Sequence, residues 1–160
     1  MKIAYLCYPE FSGKKSYAAK RFIEVSKKRS YELVEINSSY SIPVQLSGEE
    51  LNKLKTPTLL ESFHACLLRI RVRHFEAGHL MGTYFSDNGV PCFNTPEALR
   101  LARNKFLCLQ KLAVSGIKTP RTLWMPQDLK KLEGFSKITR SKKIVIKTNA
   151  ATKSNGNFFK

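Results

Sequence analysis

Two stretches of the sequence place residues that bind anions next to apolar runs typical of buried strands. Residues 2–8 form such a run, and Ser12, Gly13 and Lys14 follow it. Residues 65–70 form another, which ends in Arg69 and Ile70. Because α/β sheets bind ligands at the carboxyl ends of parallel strands, Arg69 is a candidate anion contact. The alternative is a strand-end arginine that only reaches solvent.

The loop at Ser12, Gly13 and Lys14 has the residue types of a phosphate cradle. It lacks both glycine patterns that define the known phosphate-binding loops, GxGxxG and GxxxxGK[ST]. The sequence therefore leaves two interpretations open, a ligand loop or an ordinary turn.

Metal chemistry and disulfide chemistry are poorly supported by the histidines and cysteines. His74 and His79 are five residues apart, so they do not share a helix face as metal ligands four apart would. The four cysteines form no CxxC pair, and most lie in apolar runs. We therefore expect reduced, structural thiols and a cytoplasmic protein without a bound metal.

The order of apolar runs predicts an α/β fold built on an open, mainly parallel sheet. Strands are expected over residues 2–8, 31–36, 65–70 and 90–94, with helices over 16–28 and 75–88 between them. The helix at 75–88 should pack through Phe75, Leu80, Tyr84 and His79. The strands should bury Leu6, Ile36, Leu67 and Phe93.

Residues 94–120 contain the residue types that start and end a helical segment. Thr95 is a suitable N-cap, and Pro96 suits the first helical position. Phe106, Leu109, Leu112 and Ala113 have the spacing of one buried face. Gly116 and Pro120 predict the end of the helix. Polar residues 103–105 indicate a break between a short helix and a longer one.

This segment resembles the linker of RimK-type ATP-grasp carboxylate–amine (glutamate) ligases. The matching features are Asn94 after a strand, the step at residues 102–105, a Leu-rich helix and the exit Gly-Ile-Lys-Thr-Pro at 116–120. The strand that ends in Arg69 also resembles the family pattern. The resemblance covers essentially the whole chain, but only about the first half of such an enzyme.

The resemblance implies that ATP and magnesium serve an amide-forming reaction through an acyl phosphate. It places two phosphate-binding lysines at Lys105 and Lys147, and a phosphate loop at residues 150–156, where Thr152 and Gly156 match. Ala151 and Ser154 replace two of its three glycines. Because glycine lets backbone N–H groups approach phosphate closely, these replacements weaken the expected loop.

The resemblance also implies three segments. These are a pre-ATP-grasp-like domain at 1–94, a helical linker at 95–120 and an incomplete ATP-grasp subdomain with a basic tail at 121–160. We expect further strands at 121–125 and 142–147, a short helix at 128–131 and a mobile tail from residue 148. The family's magnesium ligands find no counterpart, so we expect a truncated or remnant ligase that is inactive alone and binds neither ATP nor magnesium tightly.

The formal charge of +16 supports a different hypothesis, a basic adaptor module that binds an acidic protein or RNA. A third alternative is a second chain that supplies the missing half. No apolar run approaches the length of a membrane span, so no membrane partner is expected.

Overall fold

The computed structural model describes residues 1–7, 15–37, 39–60, 62–71, 74–125, 134–135, 137, 144–146 and 157–159. The chain divides into two compact units, Met1–Leu99 and Arg100–Lys160. This division does not test the three segments expected from the sequence, 1–94, 95–120 and 121–160, which remain a prediction.

The first unit alternates strands and helices. Its elements are β1 (Lys2–Leu6), α1 (Tyr17–Lys28), β2 (Glu32–Ile36), α2 (Gly48–Asn52), β3 (Ala65–Leu68), α3 (Phe75–Asp87), β4 (Cys92–Phe93) and the start of α4 (Pro96–Arg103). The second unit contains the rest of α4, then α5 (Lys105–Val114), β5 (Ile144–Ile146) and β6 (Asn157–Phe159). Each of the four strands expected in the first unit is present, although shorter than predicted.

The first unit is built on a four-stranded sheet in the order β2-β1-β3-β4. Every pair in it is parallel: Tyr5 of β1 is aligned with Glu35 of β2 and with Leu67 of β3, and Leu67 is aligned with Phe93 of β4. The predicted α/β class with an open parallel sheet is therefore confirmed. Parallel strands also end at a common edge, which fixes where a ligand site can form.

The core of the first unit lies between one face of the sheet and α3. Its fully or nearly fully buried members are Ala4, Leu6, Ile36, Leu59, Phe63, Cys66, Leu68, Met81 and Phe85. Burial of Leu6 and Ile36 was predicted and is confirmed. Two glycines let α3 approach the sheet closely: a Cβ on Gly78 would lie 2.6 Å from Ile70, and one on Gly82 would lie 2.8 Å from Leu68.

The predicted burial of three residues is wrong. Phe93 is 62% exposed because it lies on the edge strand β4, and Leu67 on the neighbouring β3 is only half-buried, whereas Tyr5 of β1 in the same cross-strand row is buried. Leu80 is 61% exposed, because α3 packs through Gly78, Met81, Gly82 and Phe85 rather than through the side that the apolar spacing suggested.

The helical linker starts, breaks and ends where the sequence predicts. The backbone N–H of Ala98 donates to Thr95 Oγ1 at 3.1 Å, so Thr95 caps α4. The predicted break falls at Asn104, whose Oδ1 accepts from the N–H of Leu107 at 3.0 Å and caps α5. Gly116 has φ +76°, and the N–H of Ile117 donates to the carbonyl of Leu112 at 3.0 Å, which closes the helix.

The apolar side of α5 is less buried than its spacing suggested. Phe106, Leu109 and Leu112 are half-buried, whereas Ala113 is exposed. No residue of α5 is fully buried. The prediction of one buried face is therefore wrong for Ala113.

The region after Pro120 differs from expectation in its strand pairing. Residues 121–125 contain no strand. The strand expected at 142–147 is present as Ile144–Ile146, and it pairs antiparallel with Asn157–Phe159. Residues 157–159 thus form a strand within the tail that begins at residue 148, and the mobility of that tail remains a prediction. The helix expected at 128–131 lies outside the described residues.

Candidate functional site

The carboxyl edge of the parallel sheet gathers the first residues that follow its strands. Cys7 follows β1, and its N–H donates to the carbonyl of Ile36 at 3.3 Å. Arg69 follows β3, and its N–H donates to the carbonyl of Leu6 at 3.1 Å. Asn94 follows β4. Backbone bonds thus hold Cys7 and Arg69 at the edge, where α/β sheets bind ligands.

A hydrogen bond from Asn94, which follows β4, links the carboxyl end of β4 to that of β3. Its backbone has φ +47°, a left-handed conformation that Asn adopts more readily than most residues. Its side-chain Nδ2 donates to the carbonyl of Leu68 at 3.4 Å. This bond fixes the backbone immediately before Arg69 and explains why an Asn suits the position.

Arg69 has an exposed side chain, and among the described residues no carboxylate pairs with its guanidinium. Burial raises the pKa of the Tyr5 phenol, with further contributions from Cys7 and Glu35, while Arg69 and Arg71 lower it. The two guanidinium groups are therefore close enough to act electrostatically on Tyr5. Two positive charges near Tyr5 make an anion the class of ligand to consider at this edge.

Lys15 and Glu35 form an ion pair beside this edge. Glu35 is aligned with Tyr5 across the sheet, so the pair lies at the β2 side. The pair leaves Lys15 largely neutralised, and Arg69 is therefore the better placed cation for a ligand.

Cys7 is unsuited to nucleophilic chemistry. Burial, with a further contribution from Glu35, raises the pKa of its thiol to about 11, and Lys15 opposes the shift. A thiol with this pKa is protonated at neutral pH, and the thiolate is the nucleophilic form. Cys7, Cys66, Cys92 and Cys108 are all free cysteines.

Lys105, the first phosphate-binding lysine implied by the resemblance, is the first residue of α5. It lies in the second unit, and its side chain is half-buried. The amino end of a helix presents backbone N–H groups and a partial positive charge, so this position has the electrostatic character that a phosphate contact requires. The role of Lys105 remains a prediction.

The other residues implied by the resemblance, Lys147, Thr152 and Gly156, lie outside the described residues. So do Ser12, Gly13 and Lys14, the candidate loop after β1. Strand β5 ends directly before Lys147, and β6 begins directly after Gly156.

Sequence reasoning identified Arg69 and Asn94 but missed Tyr5, Glu35, Lys15 and Arg71 around them. Tyr5 and Glu35 belong to strands in which the side chains alternate between two faces, and only the cross-strand register shows that they share one face with Leu67. Arg71 could have been found from its spacing, because it follows Arg69 by two residues.

The described residues bring no three His, Cys, Asp or Glu side chains together in a way that could hold a metal ion. His79 instead packs against Phe75, with ring centroids 5.6 Å apart. None of the helices in the described part of the chain has the length and apolar character that crossing a membrane requires.

The fold is shared with a solved ATP-grasp structure. The crystal structure of the RimK domain protein ATP-grasp from Sphaerobacter thermophilus matches with a TM-score of 0.62 at 18% identity. The match covers 95% of this chain and 52% of that chain. This chain therefore has the α/β architecture of about half of a RimK-type ATP-grasp protein.

A sequence relative identifies the same group. This chain is 32% identical over 93 residues to the probable alpha-L-glutamate ligase of Mannheimia succiniciproducens. The aligned part covers 58% of this chain and 30% of the relative, so the chain spans less than a third of that ligase. No family model matches the chain. Together the relative and the fold confirm the resemblance to RimK-type ATP-grasp ligases.

Proposed function

We propose that this chain supplies the N-terminal portion of a RimK-like ATP-dependent carboxylate–amine ligase. The observation that carries the proposal is the order of features between β3 and the end of α5. Arg69 follows β3, Asn94 follows β4, and Asn104 separates α4 from α5. This order agrees with the sequence pattern of the family, and a probable glutamate ligase is 32% identical over 93 residues.

In this proposal the carboxyl edge of the sheet binds an anionic group of the substrate. Arg69 contributes a guanidinium that no described carboxylate neutralises, and Arg71 adds a second positive charge near Tyr5. An arginine can hold a carboxylate through two parallel hydrogen bonds, which also fixes the orientation of the carboxylate. Glutamate and acidic peptides are therefore the substrates to test first.

Lys105 is proposed to contact nucleotide phosphates, together with Lys147 and the loop that contains Thr152 and Gly156. In such ligases ATP, with magnesium on its phosphates, activates a carboxylate for attack by an amine. The residues of this chain fit that requirement incompletely. Ala151 and Ser154 stand where glycines are expected, and after Lys105 only Asp128 and Glu133 are acidic. The described residues also gather no metal site.

We therefore propose that this 160-residue chain, assayed alone, does not catalyse ligation and binds ATP weakly. Lysine charges outside a closed site are screened by water and salt, so each contact contributes about 1 kcal/mol or less. Calorimetry with ATP, GTP and tripolyphosphate should show weak binding with little selectivity that falls as salt rises. Tight, ATP-selective binding that Lys147→Ala abolishes would contradict the proposal, as would ADP release with glutamate or an acidic peptide.

A chimera tests the ligase proposal positively. The aligned 93-residue segment of the Mannheimia ligase would be replaced by the matching segment of this chain, and ATP-dependent ligation would be measured. The chimera should retain activity, and Arg69→Ala within it should raise the KM for the carboxylate substrate at least tenfold, whereas Arg21→Ala on the outside of α1 should leave it unchanged. A folded chimera whose activity is insensitive to Arg69→Ala would remove the proposed substrate contact.

A second candidate function is the basic adaptor that binds an acidic protein or RNA. The formal charge of +16 favours it. It is compatible with a ligase ancestry, because the charge is not concentrated in the unit that contains the carboxyl edge.

A further inference from the structure

The positive charge of this chain is concentrated in its second unit. Residues 100–160 contain 15 of the 28 Lys and Arg residues but only 2 of the 12 Asp and Glu residues. Their formal charge is therefore +13 of the total +16, whereas residues 1–99 have a formal charge of only +3. A charge density this high in 61 residues is the electrostatic footprint of a polyanion-binding unit.

Several cations of the first unit pair with acidic neighbours, and its 13 Lys and Arg residues are nearly matched by 10 Asp and Glu residues. On α1, Glu24 pairs with Arg21 at 2.7 Å and with Lys28 at 2.9 Å, and Lys15 pairs with Glu35. Residues 100–160 contain only two acidic residues, Asp128 and Glu133, against 15 Lys and Arg residues. Lys111, in the last turn of α5, and Lys118, two residues after Gly116, have exposed side chains.

The second unit also exposes an aromatic ring. Trp124, the single tryptophan of the chain, is 56% exposed. Its ring lies 6.5 Å from that of Phe106, centroid to centroid, at an interplanar angle of 47°. Phe106 therefore packs beside the indole, which remains more than half exposed to solvent. The neighbouring Leu123 is also 47% exposed, so the apolar surface around Trp124 is larger than one ring.

We infer that the second unit binds single-stranded nucleic acid, with the backbone phosphates against its lysines and a base stacked on Trp124. Proteins that bind single strands combine a positive surface with exposed aromatic rings, because every base has a face that can stack. An acidic protein would satisfy the charge but would not use the exposed indole. The inference goes beyond the ligase proposal, and it specifies the surface and the ligand of the adaptor alternative.

Trp124 provides the direct test, because it is the only tryptophan and reports on its own surroundings. A single-stranded oligonucleotide of about ten residues should quench its fluorescence, whereas poly-L-glutamate of equal charge should not. The logarithm of the association constant should fall linearly with the logarithm of the salt concentration, by about 0.7 per phosphate contacted. The full-length chain is used for all titrations.

Matched variants separate stacking from charge. Trp124→Leu should weaken binding of a labelled oligonucleotide about fivefold or more, Trp124→Phe should restore most of the affinity, and Tyr17→Leu, at an 83% exposed aromatic of the first unit, should have no effect. Lys111→Glu with Lys118→Glu should weaken binding at least tenfold. The control, Lys20→Glu with Lys27→Glu, has the same seven-residue spacing on α1 and should change it less than twofold.

Two results would overturn the inference. Equal affinity for poly-L-glutamate and the oligonucleotide, with no quenching of Trp124, would assign the charge to an acidic protein instead. An equal loss of affinity in the α1 control would show that overall charge, rather than the second unit, determines binding. Circular dichroism of each variant shows whether it is folded, and the quenching of the unmodified chain does not depend on any variant. The activity of the ligase chimera is a separate readout, so the two proposals can fail independently.

Discussion

The two units of this chain differ in the burial of their apolar side chains and in their net charge. Every fully buried hydrophobic side chain among the described residues belongs to the first unit, between Ala4 and Phe85. In the described part of the second unit, even the helix α5 has no buried residue. The second unit instead contains most of the net positive charge. The comparison places the described hydrophobic core and the carboxyl edge in the first unit, and most of the net positive charge in the second.

The difference has a physical basis in the sequences of the two units. A sheet with a buried face and a packed helix gains free energy from apolar burial, at about 25 cal/mol for each Å² removed from water. A unit with a formal charge of +13 is destabilised by its own repulsion unless anions are bound. The second unit should therefore gain more from an anionic ligand than the first.

The largest effect is expected from a truncation in the core of the first unit. Leu68 is 1% exposed and packs against α3, so Leu68→Ala should lower the free energy of unfolding by about 2–5 kcal/mol. The matched substitution Leu112→Ala, at a half-buried position of α5, should lower it by about 1 kcal/mol or less. Urea unfolding followed by circular dichroism measures both. Equal losses would contradict the assignment of the core to the first unit.

A smaller effect is expected from the cap of α5. Asn104→Ala removes the acceptor for the N–H of Leu107 and should cost about 1 kcal/mol. Thr95→Ala removes the equivalent bond to Ala98 at the start of α4 and should cost a similar amount. Ser86→Ala, on the exposed side of α3, is the control and should change the free energy of unfolding by less than about 0.5 kcal/mol. A loss of several kcal/mol for Asn104→Ala would show that the break between α4 and α5 supports more structure than one cap.

The smallest effect concerns the electrostatics of the carboxyl edge. Glu35 is one cause of the raised pKa of Cys7, which is about 11, so Glu35→Gln should lower that pKa. Because the thiolate fraction at pH 8 then increases, alkylation of Cys7 by iodoacetamide should become faster. Lys15→Gln removes a charge that lowers the pKa and should slow alkylation. Peptide mass spectrometry reports Cys7 separately from the other cysteines. Unchanged rates in both variants would place these charges too far from the thiol to act on it.

The sequence predicted the elements that depend on local residues. The four strands of the first unit, the cap at Thr95, the break at residues 103–105 and the turn at Gly116 follow from apolar runs, a capping residue, a polar step and a glycine with φ +76°. Each is determined within about five residues of the chain, so a single sequence contains the necessary signal. The order of these elements also led to the ligase resemblance.

Features that depend on tertiary partners were not predictable in the same way. Phe93 is exposed because it lies on an edge strand, and Leu80 because two glycines give α3 a different contact side. The three-residue strand β6 carries too short a pattern to be distinguished from a loop. Tyr5 and Glu35 entered the candidate site only through the register of the sheet.

Hydrogen exchange of the free chain, resolved to individual amides, tests the central comparison most directly. Amides of β1 and β3 are bonded within a sheet whose one face is buried, so they should exchange only through global unfolding of the first unit. Amides in α5 should exchange at least about tenfold faster, because no residue of that helix is buried. Protection of α5 equal to that of β1 and β3 would show that the second unit has a stable core of its own, and would contradict the division proposed here.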